Sequence, residues 1–160
     1  MMKKFFSGSL MAIAAASLAI VSCQPKPAAQ EEQPTLSGLL RSNFQTEHAG
    51  KQTDLFTLTN ANGMEVCFTN FGGRIVSIMV PDKAGNMQDV CLGHDSIADY
   101  IKYGYQGCNF GALIGRYGNR IGNSKFTLDG QEYQLIANHN GNCLQGGGEV
   151  AFHNRMWDAN

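Results

Sequence analysis

The chain reads as an all-β protein, an antiparallel β-sandwich. Three observations carry that reading. From Asp54 onward, short strand-like runs follow one another, separated by turn-forming residues. Two pairs of these runs flank compact turn signals, Asn60-Ala61-Asn62-Gly63 and Asp129-Gly130. Helical patterning is confined to one segment, residues 96–105.

The chain opens with a processing pattern rather than with structure. Lys3 and Lys4 precede an apolar run over residues 10–21, closed by Ile20-Val21-Ser22-Cys23. The run falls short of the ~20 apolar residues that a spanning helix needs, so residues 1–22 read as a secretory signal. Ser22 directly before Cys23, with Ile20 upstream, resembles the bacterial lipobox, whose cleavage leaves Cys23 as a lipidated N-terminus. The alternative is an ordinary cysteine at a signal end. Residues 24–34 are polar and proline-rich, so residues 23–36 read as a flexible tether. The expected location is the bacterial cell envelope, lipid-anchored and either facing the periplasm or on the outer membrane, with the membrane a partner through the anchor. Gln24 in place of an aspartate after the cysteine is compatible with export to the outer membrane.

The third segment, residues 37–160, carries the sandwich elements. Leu55, Thr57 and Thr59 alternate with Phe56 and Leu58, and the Asn60–Gly63 turn leads into Met64-Glu65-Val66-Cys67-Phe68, a β-hairpin. Residues 74–80 are largely β-branched and apolar and stop at Pro81, ahead of Asp82, Gly85 and Asn86, as a buried strand would. The helical segment at 96–105 starts at Ser96, a capping residue, with Asp99 three positions on. Asp129-Gly130 joins residues 125–128 to 131–135 in a second hairpin, where glycine supplies the positive φ of a two-residue turn.

Composition narrows the function classes. Removing Lys3 and Lys4 with the leader leaves 10 basic against 13 acidic residues and no basic cluster, which argues against nucleic acid as a partner. Cys67, Cys91, Cys108 and Cys143 lack C-x-x-C spacing, so a zinc site is not expected. An exported compartment permits disulfides among these four without fixing their pairing, while the apolar neighbours of Cys67 and Cys91 favour buried free thiols. Gly146-Gly147-Gly148 is not followed by Gly-Lys-Ser/Thr, which removes a phosphate loop.

The chemistry concentrates between Gly111 and Leu135. Arg116 and Arg120 bracket Asn119 beside glycines, so two guanidiniums and an amide can converge on a small polar ligand. A planar fork of donors together with an amide donor and acceptor suits vicinal hydroxyls and the ring oxygen of a sugar. The same spacing also fits a surface turn whose arginines pair with carboxylates.

Residues 115–121, Gly-Arg-Tyr-Gly-Asn-Arg-Ile, resemble the Gly-Arg-x-x-Asn-Arg-Ile signature of the aldose 1-epimerases, the galactose mutarotases. The order of other pieces agrees: Leu92-Gly93, Asp95-Ser96 and Asp99-Tyr100 upstream, then Phe126-Thr127-Leu128-Asp129-Gly130, Asn142-x-Leu144-x-Gly146-Gly147 and Trp157-Asp158. The resemblance covers roughly residues 50–160. It implies the large galactose mutarotase-like sandwich (supersandwich), here an N-terminal part incomplete at the C-terminus. An incomplete sandwich leaves strands without partners, so the isolated chain is expected to fold poorly or aggregate.

The same resemblance implies an isomerase that interconverts α and β anomers of hexoses such as galactose or glucose by acid/base ring opening and closure, with no cofactor. Of its functional residues, Asn119 and Arg120 match the sugar-contacting pair, and Arg116 matches a position with a structural role. The catalytic glutamate and histidine belong to the later part of such a domain and are expected beyond Asn160. Gln145 stands where the family has a substrate-contacting histidine; it can bind a hydroxyl but cannot titrate. His139 and His153 flank it out of register and read as surface or packing residues. A carbohydrate-binding lipoprotein on the same scaffold, without efficient catalysis, is the competing expectation. The sequence leaves oligomeric state open.

Overall fold

The computed structural model describes residues 32–104 and 108–159. The expected signal segment, Cys23, most of the expected tether and Tyr105 lie outside them. The architecture is mostly antiparallel β, built on a four-stranded sheet of β3 (Leu55–Thr59), β4 (Glu65–Thr69), β5 (Arg74–Pro81) and β6 (Met87–Asp89) in that order. Two-residue strands β1 (Glu47–His48) and β2 (Lys51–Gln52) form a hairpin before it. Beyond the sheet come one helix, α1 (Ile97–Gly104), the pair β7 (Arg120–Ile121) with β10 (Cys143–Leu144), and the hairpin of β8 (Lys125–Leu128) with β9 (Gln131–Gln134).

Local chemistry explains each turn of the sheet. The Asn60 side-chain oxygen accepts from the N–H of Asn62 (2.9 Å) and Met64 (3.0 Å), and Gly63 takes φ +81°, closing the β3–β4 hairpin as expected. Asp82 does the same for β5–β6: its Oδ1 accepts from the N–H of Ala84 and Asn86, which sends Met87–Asp89 back along β5. The sequence reading missed β6, because Gln88 and Asp89 carry little strand preference and the turn decides its pairing.

The strand at 74–80 is corrected in two respects. It runs through Pro81, which pairs with Met87 at the end of the strand. It is also not a uniformly apolar run: Arg74 is fully buried and Ser77 nearly so, while Ile75 is 38% exposed. A β-bulge causes the change of face. Cys67 pairs with Ser77 but Phe68 pairs with Ile75, so Val76 is an extra residue and both Val76 and Ser77 face inward. The opposite face holds Phe56 stacked on Phe68 at 5.3 Å between ring centroids.

The core lies on the inner face, where Leu55, Cys67 and Val76 meet Phe44, Ile97 and Tyr100. Each such side chain contributes about 1.5–3 kcal/mol by leaving water. α1 supplies Ile97 and Tyr100, and its cap is the expected one: Ser96 Oγ accepts from the Asp99 N–H at 3.2 Å and donates to its carboxylate at 2.9 Å. The segment before β1 closes the other side, with Glu65 accepting from the Leu36 N–H at 2.8 Å. All four described cysteines are free thiols. Cys67 is buried, but Cys91 is only half-buried, because the chain leaves the sheet after Asp89.

Candidate functional site

The arginine-rich turn is positioned by the edge of the sheet. Ile75 donates its N–H to the Gly111 carbonyl (3.0 Å) and Leu113 donates to Gly72 (3.1 Å), laying residues 111–113 along the start of β5. Gly111 adopts φ +62°, and a Cβ there would collide with the Ile75 carbonyl, so only glycine permits this approach. From this seam the chain runs through Arg116 and Tyr117, both exposed, into β7.

β7 and β10 bring the separated parts of the motif together. Arg120 pairs with Leu144 and Ile121 with Cys143, which places Gln145 beside Asn119. The contact is reciprocal. Gln145 donates its N–H to the Asn119 carbonyl at 2.9 Å, and Asn119 donates its N–H to the Gln145 side-chain oxygen at 2.7 Å. Both residues sit at positive φ, +59° and +53°, a strained conformation that this clamp holds. Arg120 Nη1 donates to Asn119 Oδ1 at 3.0 Å, so the guanidinium and the amide point to one place.

Thus the structure brings Asn119, Arg120 and Gln145 together across 26 residues of sequence. Arg116 makes no contact with this trio in the bonds above; its guanidinium lies 5.5 Å from the Phe152 ring centroid, along the wall of the cavity that Arg120 also lines. Gln145 already commits its carbonyl to Asn119, leaving its amide N–H groups to offer a ligand. Asn142 is structural: its side-chain oxygen accepts from the Asn123 N–H at 3.1 Å and ties β10 to the turn after β7.

His139, read from the sequence as a surface or packing residue, lies against Arg120. It is half-buried, and its Nδ1 accepts from Arg120 Nε at 3.5 Å. The signal was present in Asn140-Gly141. These two residues take φ +49° and +77°, and His139 and Asn142 exchange backbone hydrogen bonds of 3.1 and 2.9 Å across them. A two-residue Asn-Gly hairpin of this kind sets His139 opposite Asn142, and β10 carries the ribbon back to Arg120.

His153, the other flanking histidine, is a packing residue, 8% exposed. Burial, then the Arg74 charge, holds its imidazole below the usual histidine range. Its backbone carbonyl accepts from Arg74 Nη1 at 2.7 Å, and the adjoining Phe152 donates its N–H to Gly115 at 3.2 Å. These bonds bind the wall of the site to β5. The wall encloses a cavity of about 750 Å³, mainly apolar, bounded by Phe126, Leu135, Val150 and Phe152 with Arg116, Arg120 and Arg155. Among the described residues, no group of histidines, cysteines and carboxylates is arranged to hold a metal ion.

This geometry can grip vicinal hydroxyls with Arg120, Asn119 and the Gln145 amide, beside aromatic walls that accept the C–H face of a pyranose. The chain also resembles known proteins. A sequence family described as aldose 1-epimerase matches residues 54–160. The probable aldose 1-epimerase of Arthroderma benhamiae is 34% identical over 152 residues, covering 88% of this chain and 34% of that protein. The aldose 1-epimerase of Escherichia coli is 37% identical over 108 residues, 68% of this chain and 30% of that one. Galactose mutarotase of Bos taurus is 41% identical over 85 residues, 52% and 24% of the two chains. Among solved structures, an aldose epimerase homologue from C. elegans superposes with a TM-score of 0.58 at 30% identity, covering 66% of this chain and 31% of that chain. Galactose 1-epimerase from Lactobacillus acidophilus gives 0.57 at 23%, covering 71% and 32%, a likeness of fold. The chain spans about a quarter to a third of the length of these curated relatives.

Proposed function

Because the chain belongs to the aldose 1-epimerase family, we propose that it forms the sugar-gripping part of an enzyme that interconverts the α and β anomers of hexoses such as galactose or glucose. One observation carries the reading: Asn119, Arg120 and Gln145 converge through the β7–β10 pairing and the 2.7 Å clamp. Mutarotation removes the proton of the anomeric hydroxyl and protonates the ring oxygen, opening the ring. Rotation about C1–C2 and reversal of both transfers recloses it on the other face. In this reading Arg120 and Asn119 hold hydroxyls near the ring oxygen and keep the pyranose fixed.

The test is polarimetry on freshly dissolved α-galactose and α-glucose. The protein should speed the approach to equilibrium, and a rate equal to buffer alone would sink the proposal. Export and lipid anchoring belong to the same proposal, with residues 1–22 as signal, 23–36 as tether and Cys23 as the acylated terminus. Mass spectrometry of the membrane-extracted protein should show an acylated N-terminal Cys23; an unmodified chain that retains the leader would count against it.

A second reading has one specific support. Gln145 cannot titrate and is already bonded to Asn119, which favours a carbohydrate-binding protein on this scaffold without efficient catalysis. Gln145→His separates the two readings. A large gain in turnover marks weakened catalysis, whereas no gain with fast turnover shows that the site works with glutamine.

A further inference from the structure

We infer that the cavity beside Arg120 selects aldoses bearing an acidic group, a carboxylate or a phosphate, over neutral hexoses; this rests on the sugar-binding reading above. The about 750 Å³ volume falls among small-molecule sites, and three of its lining residues are Arg116, Arg120 and Arg155. Among the described residues, the ion pairs are Arg41–Asp54, Lys51–Asp158 and Lys125–Glu132, none of which involves these arginines.

Each of the three is oriented by something other than an anion. Arg116 lies over the Phe152 ring, Arg155 Nε donates to the Val150 carbonyl at 3.1 Å, and Arg120 donates to Asn119 and His139. Three guanidiniums line one cavity, and a neutral sugar offers none of them an anionic partner. A carboxylate or phosphate accepts forked, charge-assisted hydrogen bonds from such groups. The walls of Phe126, Leu135 and Phe152 offer the apolar face of the pyranose a surface to rest on. Arg120 belongs to both the Asn119–Gln145 clamp and the cavity, so one pyranose can set its hydroxyls on the clamp and its acidic substituent toward the other arginines.

Calorimetric titration of the protein with galactose, galacturonate, galactose 6-phosphate and inorganic phosphate tests the inference, with polarimetry of the same sugars run in parallel. At least one acidic sugar should bind roughly tenfold tighter than galactose at low salt. That advantage should shrink at about 0.5 M salt, because the arginines are solvent-accessible. Arg155→Gln should bring the acidic-to-neutral ratio toward one, and Arg155→Lys, which keeps the charge, should retain part of it. The better of galacturonate and galactose 6-phosphate identifies the acidic group. Equal affinity for galactose and both acids, with mutarotation intact, overturns the inference and leaves the epimerase reading standing. Phosphate alone binding as tightly as the sugar phosphate also overturns it. Tight acidic-sugar binding without mutarotation supports the inference and sinks the epimerase reading, and no binding by any sugar overturns both.

Discussion

Arg74→Met is the perturbation that most directly tests how the fold holds the site. Arg74 is fully buried and donates to the carbonyls of Phe71 (3.0 Å) and His153 (2.7 Å) and to Asn109 Oδ1 (2.9 Å). Its guanidinium also lies 4.4 Å from the Phe71 ring centroid. Methionine retains the apolar stem, so the loss is of donors rather than volume. A buried acceptor stripped of its partner costs about 1–3 kcal/mol, less where water reaches it. With the cation–π contact, the total is about 3–5 kcal/mol, most of it from the acceptors left without their donors. The single tryptophan, Trp157, reports the change, since it packs edge-on to Phe152 at 5.1 Å in the segment that Arg74 anchors. Urea unfolding followed by its fluorescence should show the midpoint falling by roughly 2 M for a slope of about 2 kcal/mol/M. Galactose binding should weaken along with it, because His153 and Phe152 connect Arg74 to Gly115. A variant within about 1 kcal/mol of the parent would refute the argument, as would Arg74→Lys with full stability, since an ammonium cannot reproduce the fork.

Further outcomes follow from the site and its support. Gln145→Ala removes the acceptor of the Asn119 N–H and should weaken galactose binding by about tenfold in an NMR titration; unchanged affinity would mean the clamp does not shape the site. Gly146→Ala should cost about 3 kcal/mol or more, because Gly146 sits at φ +90° and a Cβ would run into the Gly115 backbone; a thermal midpoint equal to the parent's would contradict this. The His153 folded-state pKa is depressed by burial, so between that value and the ordinary ~6.5 the unfolded chain binds more protons than the folded one. Stability should therefore be full above about pH 6.5 and decline as pH falls below it, and His153→Gln should flatten that part of the profile measured by urea midpoints. An unaltered profile in the variant would assign the pH dependence elsewhere.

Local pattern was enough where a turn or cap is chemically self-contained. The Asn60 Asx turn, the Ser96–Asp99 cap and the Asp129-Gly130 hairpin form from neighbouring residues, so their signals are readable in order along the chain. The Asn140-Gly141 turn was equally readable, and following it would have placed His139 near the site. β6 was not readable, because its pairing is set by β5 and not by its own side chains. The inward turn of Val76 and Ser77 depends on a bulge opposite Cys67 and Phe68, and alternation within one strand does not register an extra residue in a pair.

The sequence by itself therefore determined the β class, the main hairpins, the helix and the Arg-x-x-Asn-Arg turn. It also carried the ordered signature that relates the chain to its family. The tertiary structure decided that Gln145 clamps Asn119, that His139 faces Arg120 and that Arg74 is buried beneath His153. The physical reason is range: caps and turns are satisfied within a few residues, whereas these contacts span 26, 19 and 79 positions and form only when the β7–β10 pairing and the sheet fix both partners in space.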